Sequence, residues 1–187
     1  MLELLLACAP AVDPVTMAAI VKQESGGSPW VIYDNTGKRS YRLSSKVEAV
    51  LKATELISAG ASVDLGLAQI NSKNLRRLGL SVEQVMDPCT NVSAGAKILE
   101  GNYKRTGDLN SALSMYNTGR ADSSVGRAYT EKVFRHAGVV VPAIPGGRLP
   151  ELPDAPGAPL SSGGKVRADR VVPVSPSAPA GFTPRWF

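Results

Sequence analysis

One acidic residue lies on the apolar side of a predicted helix near the start of the chain. In the stretch MAAIVKQESGG, four side chains recur at the spacing of one helical face: Met17, Ile20, Val21 and Glu24. Burial raises the pKa of a carboxyl group, because desolvation disfavours the charged form. A carboxyl group that stays protonated near neutral pH can act as a general acid. The spacing makes Glu24 the candidate catalytic acid; the alternative is a surface glutamate at a frayed helix end.

A second motif places amide side chains beside a glycine. In DLGLAQIN, Gln69 and Asn71 follow Gly66 and are two residues apart. Amide groups both donate and accept hydrogen bonds, which suits the hydroxyl and acetamido groups of a sugar. The motif predicts a tight backbone segment that presents amides to a glycan. The alternative is an ordinary turn that leads into a helix capped by Asn71.

A third motif, SMYNTG, places Tyr116 and Asn117 at the end of a short predicted helix, with Gly119 beyond them. A tyrosine has an apolar ring and a polar tip, and so suits the face of a sugar. The alternative is a buried tyrosine followed by an asparagine that caps the helix. Each of the last two motifs is a weak signal by itself.

Caps and breaking residues predict the elements that must position these side chains. Asp13 is a favoured N-cap with Pro14 at the first helical position, and two glycines end this helix after Ser25. The pieces WVIY and SYRL predict a small hairpin or flap. A helix is predicted from Ser45 to Ala59, with Glu48 completing a capping box, and a short helix over NSKNLRRLG; Ser81 and Gln84 cap a further short turn before Asp87 and Pro88. Three more helices are predicted from an Asn91 cap to Arg105, over 110–117 and over 125–137, the last with an apolar stripe of Val125, Ala128, Tyr129 and Val133. The predicted class is mainly α, a bundle of short helices with a small β element.

The composition changes at about Gly138, which divides the chain into a domain over 1–138 and a tail over 139–187. The tail holds 10 of the 14 prolines and 6 of the 18 glycines. Such a segment buries too little apolar surface to offset its ordering entropy, so we expect a disordered Pro/Gly-rich tail. Its aromatic end, GFTPRWF, is either a short docking motif or a mere chain end.

The bulk composition limits the partners and cofactors. The formal net charge of +5 favours anionic partners, but no long run of like charges occurs and aromatics are only 5%, so we expect no nucleic-acid partner. No stretch is apolar enough to span a membrane, and MLELLLACAP predicts a first helix and not a signal peptide. One histidine and two cysteines show no metal-ligand spacing, so neither a metal nor another cofactor is expected. Cys8 and Cys89 form either a disulfide or two buried thiols.

The three motifs, in this order, resemble the lytic transglycosylases of the soluble type, which have a lysozyme-like fold around a glycan cleft. The longer segments CAPAVDPVTMAAIVKQESGGSPW, VDLGLAQINSKNLRRLGLSVEQVMDPCTNVSAGAKIL and YTEKV are similar to the transglycosylase subunit of type IV secretion and conjugation systems. The resemblance covers roughly residues 5–135, nearly all of the predicted domain.

The resemblance implies a role for each matching residue. Glu24 matches the family's sole catalytic acid, and Cys8 and Cys89 match the cysteines of the subfamily, which favours the disulfide. Four positions match residues that bind substrate or line the cleft: Gln69, Tyr116, Asn117 and Tyr129. Two positions depart from the family pattern: Ala68 stands where Met or Gly is usual, and Met115 stands where Ala is usual.

The resemblance also implies the reaction and its setting. The family cleaves the β-1,4 bond between N-acetylmuramic acid and N-acetylglucosamine without water and leaves 1,6-anhydro ends. The implied location is the periplasm, and the implied partners are peptidoglycan strands and, through the tail, components of a type IV secretion or conjugation apparatus. We expect a monomer.

Two other functions stay open. Asp64 could be a second carboxylate facing Glu24, which would make the protein a hydrolysing lysozyme; otherwise it caps the turn before Gly66. The domain could also be a non-catalytic module that binds the wall during assembly.

Overall fold

The computed structural model describes residues 1–138, which form eight α-helices and one four-stranded sheet. The predicted class is therefore confirmed for this part of the chain, while the predicted tail, 139–187, lies outside the described residues. The elements are α1 (Leu2–Cys8), α2 (Pro14–Ser25), β1 (Val31–Asp34), β2 (Arg39–Arg42), α3 (Lys46–Ser58), β3 (Val63–Leu65), β4 (Ile70–Asn71), a 3-10 turn (Ser72–Asn74), α4 (Leu75–Leu78), α5 (Val82–Val85), α6 (Pro88–Thr106), α7 (Leu109–Thr118) and α8 (Ser124–Ala137).

Helix α2 begins and ends where its caps predict. The Asp13 side chain accepts hydrogen bonds from the backbone N–H groups of Val15 and Thr16, at 2.8 and 3.4 Å. At the other end, Gly26 adopts the left-handed conformation, with φ of 67°, that glycine tolerates without steric cost. The apolar stripe of this helix is fully buried, and Glu24 is buried with it.

The sheet has the order β2-β1-β3-β4, and every neighbouring pair is antiparallel. The predicted hairpin is the β1–β2 pair, in which Ile32 lies opposite Tyr41. The tight segment predicted for DLGLAQIN contains two short strands, and Leu65 of β3 lies opposite Ile70 of β4. These strands escaped prediction because they are only three and two residues long.

The core lies where α6 and α7 pack on each other and α8 packs on α7 and α2. Helix α8 approaches α7 through Gly126, where a Cβ atom would lie 1.9 Å from the Ser114 hydroxyl. The predicted stripe of α8 is wrong in part, because Val125 and Ala128 are exposed. The close approach at Gly126 instead turns these residues inward: Gly126, Tyr129, Thr130 and Val133.

The predicted cap of α6 is wrong, and the predicted capping box of α3 is confirmed only in its Ser45 half. Helix α6 begins one turn earlier than predicted, because Asp87 caps it and Pro88 takes its first position, while Asn91 lies buried inside it. At α3, Ser45 accepts from the Glu48 backbone as expected, but the Glu48 carboxylate accepts from the backbone and hydroxyl of Ser44.

A disulfide joins Cys8 at the end of α1 to Cys89 in the first turn of α6, across a sequence separation of 81. The predicted pairing is confirmed. The bond fixes α1 on the same side of the core as α2, since α1 packs against both α2 and α6. None of the helices in residues 1–138 combines the length and the apolar character that a membrane span requires.

Candidate active site

Glu24 lies in the last turn of α2 with only 5% of its surface exposed. The Tyr129 hydroxyl of α8 donates a hydrogen bond to Glu24 Oε1 at 2.6 Å. The two residues are 105 positions apart, and the packing of α8 on α2 brings them together. The carboxyl group therefore has a fixed orientation and one defined protein partner.

Burial raises the pKa of Glu24 from 4.5 to about 8. Desolvation is the largest cause. The hydrogen bond from Tyr129 acts in the opposite direction, because it stabilises the carboxylate, and the negative charge of Asp64 raises the pKa further. Glu24 therefore carries its proton at neutral pH, as the helical spacing predicts.

Asp64 is a second buried carboxyl group close to Glu24. It is fully buried in β3, where Oδ2 accepts from the Asn35 amide at 2.8 Å and Oδ1 accepts from the Asn71 amide at 2.7 Å. Desolvation raises its pKa to about 6, although the two amides oppose this. Asp64 thus lies in a strand, held by two amides, and does not cap the turn before Gly66.

The turn between β3 and β4 carries Gln69 and is held by a buried asparagine of α6. The Asn91 side chain accepts from the backbone N–H of Ala68 at 2.7 Å and donates to the carbonyls of Leu65 and Val85, both at 2.8 Å. Gly66, with φ of 75°, lies so close that a Cβ atom there would be 2.4 Å from Asn91 Nδ2. Glycine is therefore required at this position for both its conformation and its size.

Two predicted substrate-binding residues also stabilise this turn. The Gln69 amide nitrogen donates to the carbonyls of Gly66 at 2.8 Å and Val31 at 3.3 Å, and Gln69 itself has a positive φ of 47°. The Tyr116 hydroxyl donates to the Ala68 carbonyl at 2.9 Å. We infer that these two residues shape the site first through the backbone of the turn, which the motifs did not indicate.

A small residue at position 68 fits the packing around this turn. Helix α6 passes close to the turn at Gly95, where a Cβ atom would lie 2.8 Å from the Ala68 Cβ and 3.0 Å from the Tyr116 hydroxyl. The departure from the family pattern at Ala68 is thus matched by the tight contact with α6.

A cavity of about 520 Å³ opens beside this turn. Gln69, Tyr116, Asp64, Asn35 and Asn71 contribute to its lining. Glu24, Tyr129 and Asn117 are not part of the lining; Asn117 is buried next to Tyr116 in the last turn of α7.

Glu24 is nevertheless coupled to the lining. Its charge interacts with those of Asp64 and Tyr116, and burial together with the Glu24 charge holds the pKa of both Tyr116 and Tyr129 well above the ordinary value. The acid therefore interacts electrostatically with two residues of the lining, and both phenols keep their protons.

Sequence reasoning missed Asn35 and Asn91, although each follows a recognisable boundary. Asn35 comes directly after β1, and Asn91 lies in the first turns of α6. Their partners, Asp64 and the turn around Ala68, are between 23 and 29 residues away, so local patterns could not show these contacts.

Comparison with known proteins identifies the family that this chain resembles. The family model for the transglycosylase SLT domain matches residues 4–134. The chain is 35% identical to Protein virB1 of Agrobacterium fabrum over 144 residues, which are 73% of this chain and 59% of that protein. It is 36% identical to the type IV secretion system protein virB1 of Brucella abortus over 166 residues, 81% of this chain and 70% of that protein.

The invasion protein IagB of Salmonella typhimurium is 38% identical to this chain over 81 residues, which are 40% of this chain and 51% of that protein. No solved structure matches.

Proposed function

The chain belongs to the transglycosylase SLT domain family, and from that premise we propose that it cleaves the β-1,4 bond between N-acetylmuramic acid and N-acetylglucosamine in peptidoglycan. The cleavage leaves 1,6-anhydromuramic ends and opens the wall locally for a type IV secretion or conjugation apparatus. The observation that carries the proposal is the buried, protonated carboxyl group of Glu24, which accepts a hydrogen bond from Tyr129 and interacts electrostatically with Asp64 of a cavity rich in amides.

Glu24 acts first as an acid and then as a base. Its proton goes to the glycosidic oxygen as the bond from this oxygen to C1 of muramic acid breaks, and the acetamido group of the substrate stabilises the positive charge that develops at C1. The Glu24 carboxylate then takes the proton of the C6 hydroxyl, and this oxygen forms the new bond to C1. No water enters the products, and Glu24 ends protonated.

The surroundings of Glu24 suit this double use. Tyr129 stabilises the carboxylate between the two proton transfers, while burial returns the group to its acid form. We propose that Gln69 and Tyr116 of the cavity lining, together with Asn117 beside Tyr116, hold the acetamido group and the sugar ring.

One observation favours a second candidate function. Asp64 is a carboxyl group near enough to raise the pKa of Glu24, so hydrolysis with Asp64 as partner is the alternative chemistry. Both oxygens of Asp64 already accept hydrogen bonds from amides, which leaves it poorly placed to activate water. We therefore rank the transglycosylase first, and a non-catalytic wall-binding module last.

The products separate these functions. Purified sacculi are incubated with the protein, and the released muropeptides are identified by mass spectrometry, with the Glu24→Gln variant as the control. We expect anhydro ends that the control does not release. Reducing ends would establish a hydrolase, and binding without release would establish a wall-binding module.

The setting is part of the proposal. Disulfides form and persist in oxidising compartments such as the periplasm, and the Cys8–Cys89 bond fits that location. Partnership with type IV secretion components is proposed from the similarity to the type IV secretion system protein virB1 of Brucella abortus.

Replacement of Tyr129 tests its role toward Glu24. Tyr129→Phe removes a hydrogen bond that favours the carboxylate, so the pKa of Glu24 rises above about 8. The acid form then persists to higher pH, and the alkaline fall of kcat/KM moves upward. The plateau of kcat/KM falls about tenfold, because the carboxylate formed in the first step loses its donor.

The measurement is the pH profile of kcat/KM on solubilised glycan strands. Tyr41→Phe, a change of the same kind at a half-buried position of the otherwise exposed strand β2, is the control and leaves the profile in place. An unchanged alkaline limb in Tyr129→Phe would show that this hydrogen bond does not govern the titration of the acid.

A further inference from the structure

Three cations line the cavity beside the active site, and a fourth lines a neighbouring cavity. Lys73, Arg77 and Arg105 belong to the lining of the cavity of about 520 Å³. A neighbouring cavity of about 370 Å³ shares Arg77 and Arg105 and adds Lys97. All four side chains belong to exposed residues, and together they form what is called here the basic cluster.

No member of the basic cluster forms an ion pair within residues 1–138. The ion pairs of this part of the chain involve other cations, namely Lys52, Lys104 and Arg127. The Arg77 and Arg105 guanidinium groups donate instead to the neutral amides of Asn74 at 3.4 Å and Asn102 at 2.7 Å.

These amide contacts orient the two arginine side chains but do not neutralise them, because an amide oxygen carries no net charge. An arginine presents five N–H donors in a planar fork that matches a carboxylate in two parallel hydrogen bonds. The acidic residue on the lining is Asp64, which is fully buried and already bound by two amides. The cavity therefore offers unpaired positive charge to an anionic ligand.

The position of the basic cluster identifies the ligand. Three of its four members share a cavity with Gln69 and Tyr116, so a glycan bound for cleavage at Glu24 passes close to these cations. The anionic groups of peptidoglycan are the free carboxylates of the peptides attached to its muramic residues. Resting on the proposed function, we propose that the basic cluster binds these peptide carboxylates and selects glycan strands that carry acidic peptides.

Nucleic acid is the other large polyanion with which such cations could interact. The lining between the cations carries small neutral amides and hydroxyls, and Tyr116 uses its hydroxyl on the Ala68 carbonyl and is 92% buried, so no exposed aromatic platform for bases is present on this lining. The observations favour peptide carboxylates, and DNA is a separate arm of the test.

The experiment measures binding in a Glu24→Gln background, in which the glycan stays intact. Binding of the protein to purified sacculi is followed by sedimentation. The test variant adds Arg77→Gln and Arg105→Gln. The control variant adds Arg76→Gln and Arg135→Gln, which remove the same charge from exposed positions outside both cavities.

Each protein is tested on native sacculi, on sacculi whose carboxyl groups have been converted to neutral amides with carbodiimide and ammonia, and on a double-stranded DNA fragment. On native sacculi at low salt, we expect the test variant to bind about tenfold more weakly than its parent, because exposed pairs contribute modestly and two are lost. The difference shrinks as salt is raised. On amidated sacculi, parent and variant bind equally.

Three outcomes overturn the inference: an equal loss in the control variant, a loss that persists on amidated sacculi, or a loss confined to DNA. The binding result does not depend on turnover. Failure of the wild-type protein to release anhydro products would refute the proposed reaction while leaving the carboxylate preference measurable, so the two failures are distinguishable.

Discussion

Replacement of Glu24 by glutamine lowers the turnover of sacculi by at least about a thousandfold, because one residue supplies the proton in the first step and removes a proton in the second. Glutamine keeps the size of the side chain and an oxygen that accepts from the Tyr129 hydroxyl, so the contacts of α2 with α8 survive. The measurement is the rate of muropeptide release, with circular dichroism to verify the fold. A variant that keeps near wild-type turnover would exclude Glu24 as the acid.

The same substitution stabilises the fold at alkaline pH. The pKa of Glu24 is about 8 in the folded state and close to 4.5 in an unfolded chain. Between these values the unfolded chain has lost the proton that the folded protein keeps, so the free energy of unfolding decreases as pH rises through this window. The loss is complete above about pH 8 and is on the order of 5 kcal/mol. Glutamine does not ionise, so the Glu24→Gln variant does not lose this stability.

Urea unfolding at pH 4 and at pH 8.5 checks this expectation. Glu24→Gln gains stability over the wild type at pH 8.5 and gains little at pH 4. Glu131→Gln, at an exposed position of α8, changes neither value appreciably. If Glu24→Gln loses activity but gains no stability at pH 8.5, the Glu24 carboxyl group is more hydrated in the wild type than its burial implies. The expected result would show that the buried acid needed for catalysis lowers the stability of the fold at alkaline pH.

The part of the site that the sequence predicts is the part that rests on local rules. The burial of Glu24 follows from helical spacing, and the bounds of α2 follow from Asp13, Pro14 and the glycine after Ser25. These signals involve neighbours within about one turn of helix, and tertiary packing did not override them. The β1–β2 hairpin was predictable for the same reason.

The parts that could not be predicted depend on side chains that contact distant backbone. Asn91 looks like a helix cap, yet Asp87 and Pro88 take that role and leave Asn91 free to hold the turn around Ala68. Nothing local distinguishes these two uses of an asparagine, since both satisfy backbone groups near a helix end. The same limit explains the stripe of α8, which is set by the close approach at Gly126.

The resemblance to the family added contacts that spacing alone could not supply. The resemblance assigns Tyr129 to the lining of the cleft, and in the structure the Tyr129 hydroxyl donates a hydrogen bond to Glu24. It assigns Gln69 and Tyr116 to the substrate, whereas the structure shows that both also bond to backbone carbonyls. Replacement of either residue would therefore disturb the turn as well as any sugar contact, and a loss of activity there could not be assigned to substrate binding alone.

Removal of the disulfide by the double substitution Cys8→Ser and Cys89→Ser lowers the free energy of unfolding by about 4 to 5 kcal/mol. The bond closes a loop across a sequence separation of 81, which strongly restricts the unfolded chain, and the reduced chain recovers that freedom. In the folded state the bond fixes α1 against α6, and α1 also packs on α2, the helix that carries Glu24.

Urea unfolding with and without a thiol reductant checks this expectation with an internal control. The chain contains two cysteines, and both are in this bond, so the effect of a reductant on the wild type can be assigned to it alone. We expect the reduced wild type and the double variant to unfold at the same urea concentration. The reductant does not change the urea concentration at which the double variant unfolds. A double variant as stable as the oxidised wild type would show that packing of α1 on α6, and not the covalent link, holds the two helices together.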